Sequence, residues 1–159
     1  MFKAEKKDKQ TVTDILSDSF FDNRSVNYVI PQDHRKKAKI EKLMAYSFDV
    51  CHAFGEVYLS DCRRACALVL YPERKRTTLQ SIWWDLKLAA SVFGLARTIR
   101  VLSREQLIQK HHPSFPIFYL WFIGVQRNFQ HAGIGRQLLQ DLLQLSKTQQ
   151  RPVYLETST

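Results

Sequence analysis

The stretch Val125-Gln126-Arg127-Asn128-Phe129-Gln130-His131-Ala132-Gly133-Ile134-Gly135-Arg136 leaves a run of apolar and aromatic residues and enters a leucine-rich amphipathic one. A loop that joins a buried strand to a helix in this way presents free backbone N–H groups at the helix start. Glycines there let a ligand approach the backbone closely, so the arrangement forms an anion site whose usual occupant is a pyrophosphate. Arg127 and Arg136 add positive charge beside it. The plainer alternative is a helix start whose glycines serve only a tight turn. A Walker loop is excluded, because no Gly-Lys pair exists in the chain. A dinucleotide fingerprint is partly present in Gly133-x-Gly135, with Glu156 placed about twenty residues on. Against it, the third glycine position holds Leu138 and no further strand–helix units follow.

Working outward, Ile117 to Val125 crowds apolar and aromatic residues without clean alternation, as in a central strand covered on both faces. After the loop, Leu138, Leu139, Leu142, Leu143 and Leu145 mark a long amphipathic helix that Arg151-Pro152 breaks. Val153 to Thr157 reads as a last strand, so the final unit is a parallel βαβ. Upstream, a first helix is predicted from about Lys9 to Phe20 on Val12, Ile15 and Leu16. A second carries Ile40, Leu43, Met44, Ser47, Val50, Cys51 and Phe54, with Asp33 as its cap and Arg35, Lys36, Lys37 and Lys39 on its outer face. Gly55 ends that helix. Glu56–Ser60 and Cys66–Tyr71 then follow a period of two, and the polar turn Asp61–Arg64 makes them an antiparallel hairpin. A third helix is expected over Thr78–Phe93, burying Leu79, Ile82, Trp83, Leu86, Ala90 and Phe93 and leaving Trp84 toward an acceptor pocket. Gly94 stops it, and the capping box Ser103-x-x-Gln106 opens a fourth helix.

Composition agrees with one soluble domain. The 159 residues are 45% hydrophobic and 25% charged, and no apolar run reaches the roughly 20 residues of a membrane span. The charged N-terminus has no apolar core, so a cytoplasmic location is expected. A net charge of +9 favours an anionic partner without choosing among nucleic acid, an acidic membrane face and a phosphate-rich cofactor. The basic groups Arg35/Lys36/Lys37/Lys39, Arg74/Lys75/Arg76 and Arg97/Arg100/Arg104 are dispersed, and no nucleic-acid motif accompanies them. Cys51, Cys62 and Cys66 are expected as free, mostly buried thiols. Neither Cys62-x3-Cys66 nor His111-His112 completes a metal set.

Gln130-x-x-Gly133-x-Gly135, after a strand ending Ile123-Gly124-Val125 and before Leu138-Leu139, resembles the acyl-CoA loop of the GNAT superfamily of N-acyltransferases. The order of elements over residues 1–159 agrees with a single domain of that kind. The resemblance implies an α/β fold with a mixed, mostly antiparallel sheet, helices on both faces, and a V-shaped splay between strands 117–125 and 153–157. It implies acetyl-CoA as co-substrate. Ile123, Gly124 and Val125 would hold the pantetheine arm, His131, Ala132, Gly133, Ile134, Gly135 and Arg136 the pyrophosphate, and Gln130 would shape the entry. It implies direct attack by an amine, with a base to take its proton. The strand 117–125 carries no carboxylate, so Glu156 is the nearest candidate base and Glu56 a weaker one. The resemblance also implies a tyrosine general acid near the departing thiolate, supplied by a helix beyond residue 159, for which Tyr119 or Tyr154 would be substitutes. The family continues with a helix and two strands, so the domain is expected to be C-terminally incomplete. A non-catalytic CoA or nucleotide sensor of the same fold is the alternative function, and a basic nucleic-acid module a more distant one. Expected partners are a small-molecule or peptide amine and a second copy of the chain in a homodimer, with no membrane.

Overall fold

A computed structural model describes residues 1–93, 113 and 115–156. The expected helix Ser103-x-x-Gln106, Gly94, His111-His112, the Arg97/Arg100/Arg104 group and Thr157 lie outside them. Among the described residues, five strands form one sheet in sequence order: β1 (Phe2–Lys3), β2 (Gly55–Leu59), β3 (Ala65–Leu70), β4 (Phe118–Val125) and β5 (Val153–Tyr154). The first three pairings are antiparallel and the last, β4 with β5, is parallel. The fold class is therefore mixed α/β with a mostly antiparallel sheet, as the sequence implies.

The helices are α1 (Lys9–Ser19), α2 (Arg24–Val29), α3 (Lys36–Phe54), α4 (Leu79–Leu88) and α5 (Ile134–Thr148). The sheet separates two apolar layers. Cys66, Leu68 and Leu70 of β3 face Val12, Leu16, Ile40, Met44 and Phe48 of α1 and α3. The alternate residues Ala65, Ala67 and Val69 face Leu138 and Leu142 of α5. β3 is buried along its whole length because both its faces are covered. Small residues beneath two leucines let α5 lie close to the sheet. Burying those two leucines contributes roughly 2 kcal/mol each.

Three local expectations change. Asp33 does not cap α3. Its carboxylate accepts from Arg35 N at 2.9 Å in the preceding turn and pairs with Lys39 at 2.6 Å, while Arg35 is the cap. The six-residue α2 is additional, started by Asn23, whose side chain accepts from Val26 N. Helix α4 is turned the opposite way round. Thr78 and Ser81 close a capping box at its start, but Leu79, Ile82, Trp83 and Leu86 are exposed, Trp83 by 62%. Trp84 and Leu88 pack against the core instead. Trp83 and Trp84 both line a small cavity between α3 and α4. Cys51 and Cys66 are buried free thiols, pushed up by desolvation, and Cys62 is exposed. Among the described residues, no helix is long and apolar enough to cross a membrane, and no cluster of ligating side chains could hold a metal ion.

Candidate functional site at the β4–β5 opening and the start of helix α5

β4 and β5 part almost as soon as they meet. Their parallel ladder consists of Phe118 opposite Val153 and Tyr119 opposite Tyr154. Beyond it, Leu120–Val125 pairs with β3 on one side and with no described strand on the other. The divergence coincides with a bulge. Leu68 and Val69 are opposite Phe122 and Leu120, so Trp121 is the extra residue on β4. A bulge bends its strand and ends regular pairing locally. The backbone of β4 on the β5 side thus faces an opening that narrows toward Tyr119.

At its carboxyl end β4 runs into the loop. Gln126 N donates to Arg64 O, and a 3-10 turn covers Arg127–Phe129. His131 and Gly133 then both take left-handed backbone angles, φ 63° and 78°. Gly133 is the N-cap of α5 and carries no side-chain cap. Residue 133 suits glycine by conformation rather than space, since a Cβ there would meet nothing within 4 Å. Gly135 is a different case. A Cβ on it would lie 2.8 Å from Val125 Cγ2, so the helix start abuts the end of β4. Gln130 donates from Nε2 to Val125 O at 3.3 Å and ties the loop back to the strand.

The first turn of α5 is arranged against its own dipole. It has no acidic residue and no side-chain cap, and it carries Arg136 where a helix favours an anion. The first backbone N–H groups of any helix lack intrahelical acceptors. Here, among the described residues, they have no capping side chain and no acid in their own first turn. These residues fit an external diphosphate. Arg127, expected to add charge to the site, does something else. Its backbone N donates to Asp18 Oδ2 at 2.7 Å, its Nε to Asp18 O at 2.8 Å and its guanidinium to Asp22 at 2.7 Å. Its charge is matched by two acids of the α1 end, and it fastens the loop to that helix. Gly124 also faces α1, where a Cβ would lie 3.1 Å from Leu16 and Ser19 atoms. Arg64 lies over the Phe129 ring at 4.4 Å and donates to Gln126.

The candidate bases separate cleanly. Glu156 is exposed just past β5, and the buried Tyr119 hydroxyl donates to it at 3.3 Å. Tyr154 packs its ring on Tyr119 at 5.8 Å. This group borders the narrow end of the opening, away from the glycine loop. Glu56 is elsewhere. It faces the α5 layer and accepts from the Tyr58 hydroxyl, from Lys3 at 2.9 Å and from the Tyr71 hydroxyl at 2.7 Å. Burial pushes its carboxyl upward, but hydrogen bonds from Tyr58, Lys3 and Tyr71 outweigh burial and hold it down to about 2. A carboxylate so stabilised is a poor proton acceptor, and Glu56 is set aside as a base. Tyr71 also donates to Gln149 at 2.9 Å, so this cluster joins the sheet to the end of α5.

That cluster makes stability pH-dependent. The folded-state value lies below the ordinary 4.5 of a glutamate, so the contribution is complete above 4.5 and is lost as pH falls toward about 2. Glu56→Gln is expected to cost about 2 kcal/mol at neutral pH, since hydrogen bonds to a charged group are replaced. It should also flatten the acid limb. Urea midpoints at neutral pH and within that acid window check both; an unchanged acid limb would assign the loss to other carboxylates.

Neither a protein-family model nor a curated protein matches the chain. A solved structure does, described as histone acetyltransferase HPA2 and related acetyltransferase from Corynebacterium glutamicum. It superposes on 99% of this chain and 76% of its own with a TM-score of 0.69, at 20% identity. A likeness at that identity establishes the fold, which is the GNAT-like architecture that the loop implied.

Proposed function

We propose that the chain is a GNAT-type N-acetyltransferase that takes its acetyl group from acetyl-CoA and passes it to an amine. One observation carries this reading: the opening between β4 and β5 leads along a β4 edge that no described strand pairs to an uncapped helix start held against the strand end at Gly135. A ligand with an extended amide-bearing arm and a diphosphate matches both parts at once. The acetyltransferase that shares the fold supports it.

In this reading the amides from His131 to Arg136 hold the diphosphate, Gln130 keeps the loop closed on Val125, and the β4 backbone at Ile123, Gly124 and Val125 pairs with the arm. When bound, acetyl-CoA supplies an activated acyl carbon. The amine nitrogen bonds to that carbon as the carbon–sulfur bond breaks. The nitrogen gives up one proton and the departing sulfur gains one. Glu156, held by Tyr119, is the group placed to take the first proton, directly or through a water.

Calorimetry with acetyl-CoA tests the binding half. Saturable binding at one site is expected, and its absence from folded protein would overturn the proposal. Release of free thiol with a panel of amines tests the chemical half. Binding without turnover of any amine would favour the non-catalytic sensor of the same fold.

A further inference from the structure

A second cleft opens at the amino end of β4. It has a volume of about 480 Å³ and is floored by Val50, Phe54, Leu70 and Tyr119. Tyr119 is also the residue that holds Glu156 and sits opposite Tyr154, so the floor of the cleft borders the point where β4 and β5 meet, at the end of β4 away from the glycine loop. The two ends of β4 are about 23 Å apart at the usual strand rise.

The walls of this cleft are charged in a particular way. Lys75 and Arg76 line it, both exposed. Their neighbours on the same run are engaged elsewhere: Arg74 lies over the Tyr71 ring, and Glu73 pairs with Arg151 at 2.6 Å. Lys75 and Arg76 have no acid in an ion pair among the described residues. Asp85 also lines the cleft and accepts from the Tyr46 hydroxyl at 2.6 Å. The cleft therefore offers two cations, an apolar floor and the Asp85 carboxylate, and Tyr119 of its floor donates to Glu156. A ligand that satisfies all of these carries an anionic group and an amino group on a partly apolar body.

We infer that the acceptor is an anion-bearing amine, its carboxylate or phosphate held between Lys75 and Arg76 and its amino group directed past Tyr119 toward Glu156. This rests on the acetyltransferase reading and adds the class of acceptor. The anionic ends of donor and acceptor would then be held at opposite ends of β4, with the bulge at Trp121 between them.

The test pairs acceptors that differ in the anion alone: L-phenylalanine against phenethylamine, and O-phosphoethanolamine against ethanolamine. Thiol release from acetyl-CoA gives kcat/KM for each. At least one anionic member is expected to exceed its neutral partner by tenfold or more, and which pair does so distinguishes carboxylate from phosphate. In the double variant Lys75→Glu/Arg76→Glu that ratio should fall to about one. Lys37→Glu, an equal kind of charge change on the exposed face of α3, should leave the ratio as it is. Turnover that ignores the anion, or a ratio that survives the double variant, would overturn the inference while the acetyltransferase reading stands. Loss of acetyl-CoA binding, or of turnover with every amine, would remove both.

Discussion

Gly55→Ala is expected to destabilise the protein by more than about 3 kcal/mol, a large share of the 5–15 kcal/mol that holds a domain of this size together. Gly55 is both the residue after α3 and the first residue of β2. A Cβ there would lie 2.0 Å from Val69 O and 2.9 Å from Leu70 Cα. Both obstacles are backbone atoms of β3, and β3 is the strand buried on both faces. Moving it would disturb the pairs Gly55–Leu70 and Glu56–Val69 beside the bulge that opens the site. Relief by a side-chain rotation is therefore unavailable. Gly133→Ala is the comparison. It meets nothing within 4 Å and bears only the left-handed angle of 78°, so about 1 kcal/mol is expected. Denaturant midpoints of the two variants check the ranking; Gly55→Ala as stable as Gly133→Ala would show that the α3–β2 junction is not close-packed.

The elements nearest the candidate site were legible because each carries a strong local signal. The hairpin, β4, the glycine loop and α5 follow from alternation, from an uninterrupted apolar run and from heptad-like leucines. What was not legible depends on partners far along the chain. Arg127 reads as a free cation beside an anion loop until Asp18 and Asp22, more than a hundred residues earlier, are brought to it. Glu56 reads as a possible base until hydroxyls from Tyr58 and Tyr71 and the ammonium of Lys3 converge on it. Helix α4 failed for another reason. Apolar residues occupy both sides of it, with Leu79, Ile82, Trp83 and Leu86 against Trp84 and Leu88, so the pattern offers two faces. The face chosen is the one that lets Asp85 accept from Tyr46 and Trp84 reach the core. The bulge at Trp121 has no sequence signal at all, since it is a property of how β4 registers with β3.

Gly135→Glu is expected to weaken acetyl-CoA binding by at least 100-fold, about 2.8 kcal/mol, while leaving the fold intact. The two effects have opposite signs for one physical reason. Position 135 is the second residue of α5, where the helix dipole favours negative charge by about 0.5 kcal/mol and where neither a cap nor an acid is present. A carboxylate introduced there supplies the missing partner internally. It also occupies the field that the proposed diphosphate needs, and like charges brought together away from water cost several kcal/mol. The steric part is small and separable. Gly135→Ala gains about 1 kcal/mol of helix propensity and loses a comparable amount against Val125 Cγ2, a side-chain atom that can shift. The alanine variant should therefore keep near-normal stability and lose no more than about tenfold in binding. Calorimetry with acetyl-CoA, run beside thermal melts of both variants, separates charge from size. If Gly135→Glu bound acetyl-CoA as tightly as the parent chain, the diphosphate would not lie at the start of α5, and the uncapped, cationic first turn would need another occupant.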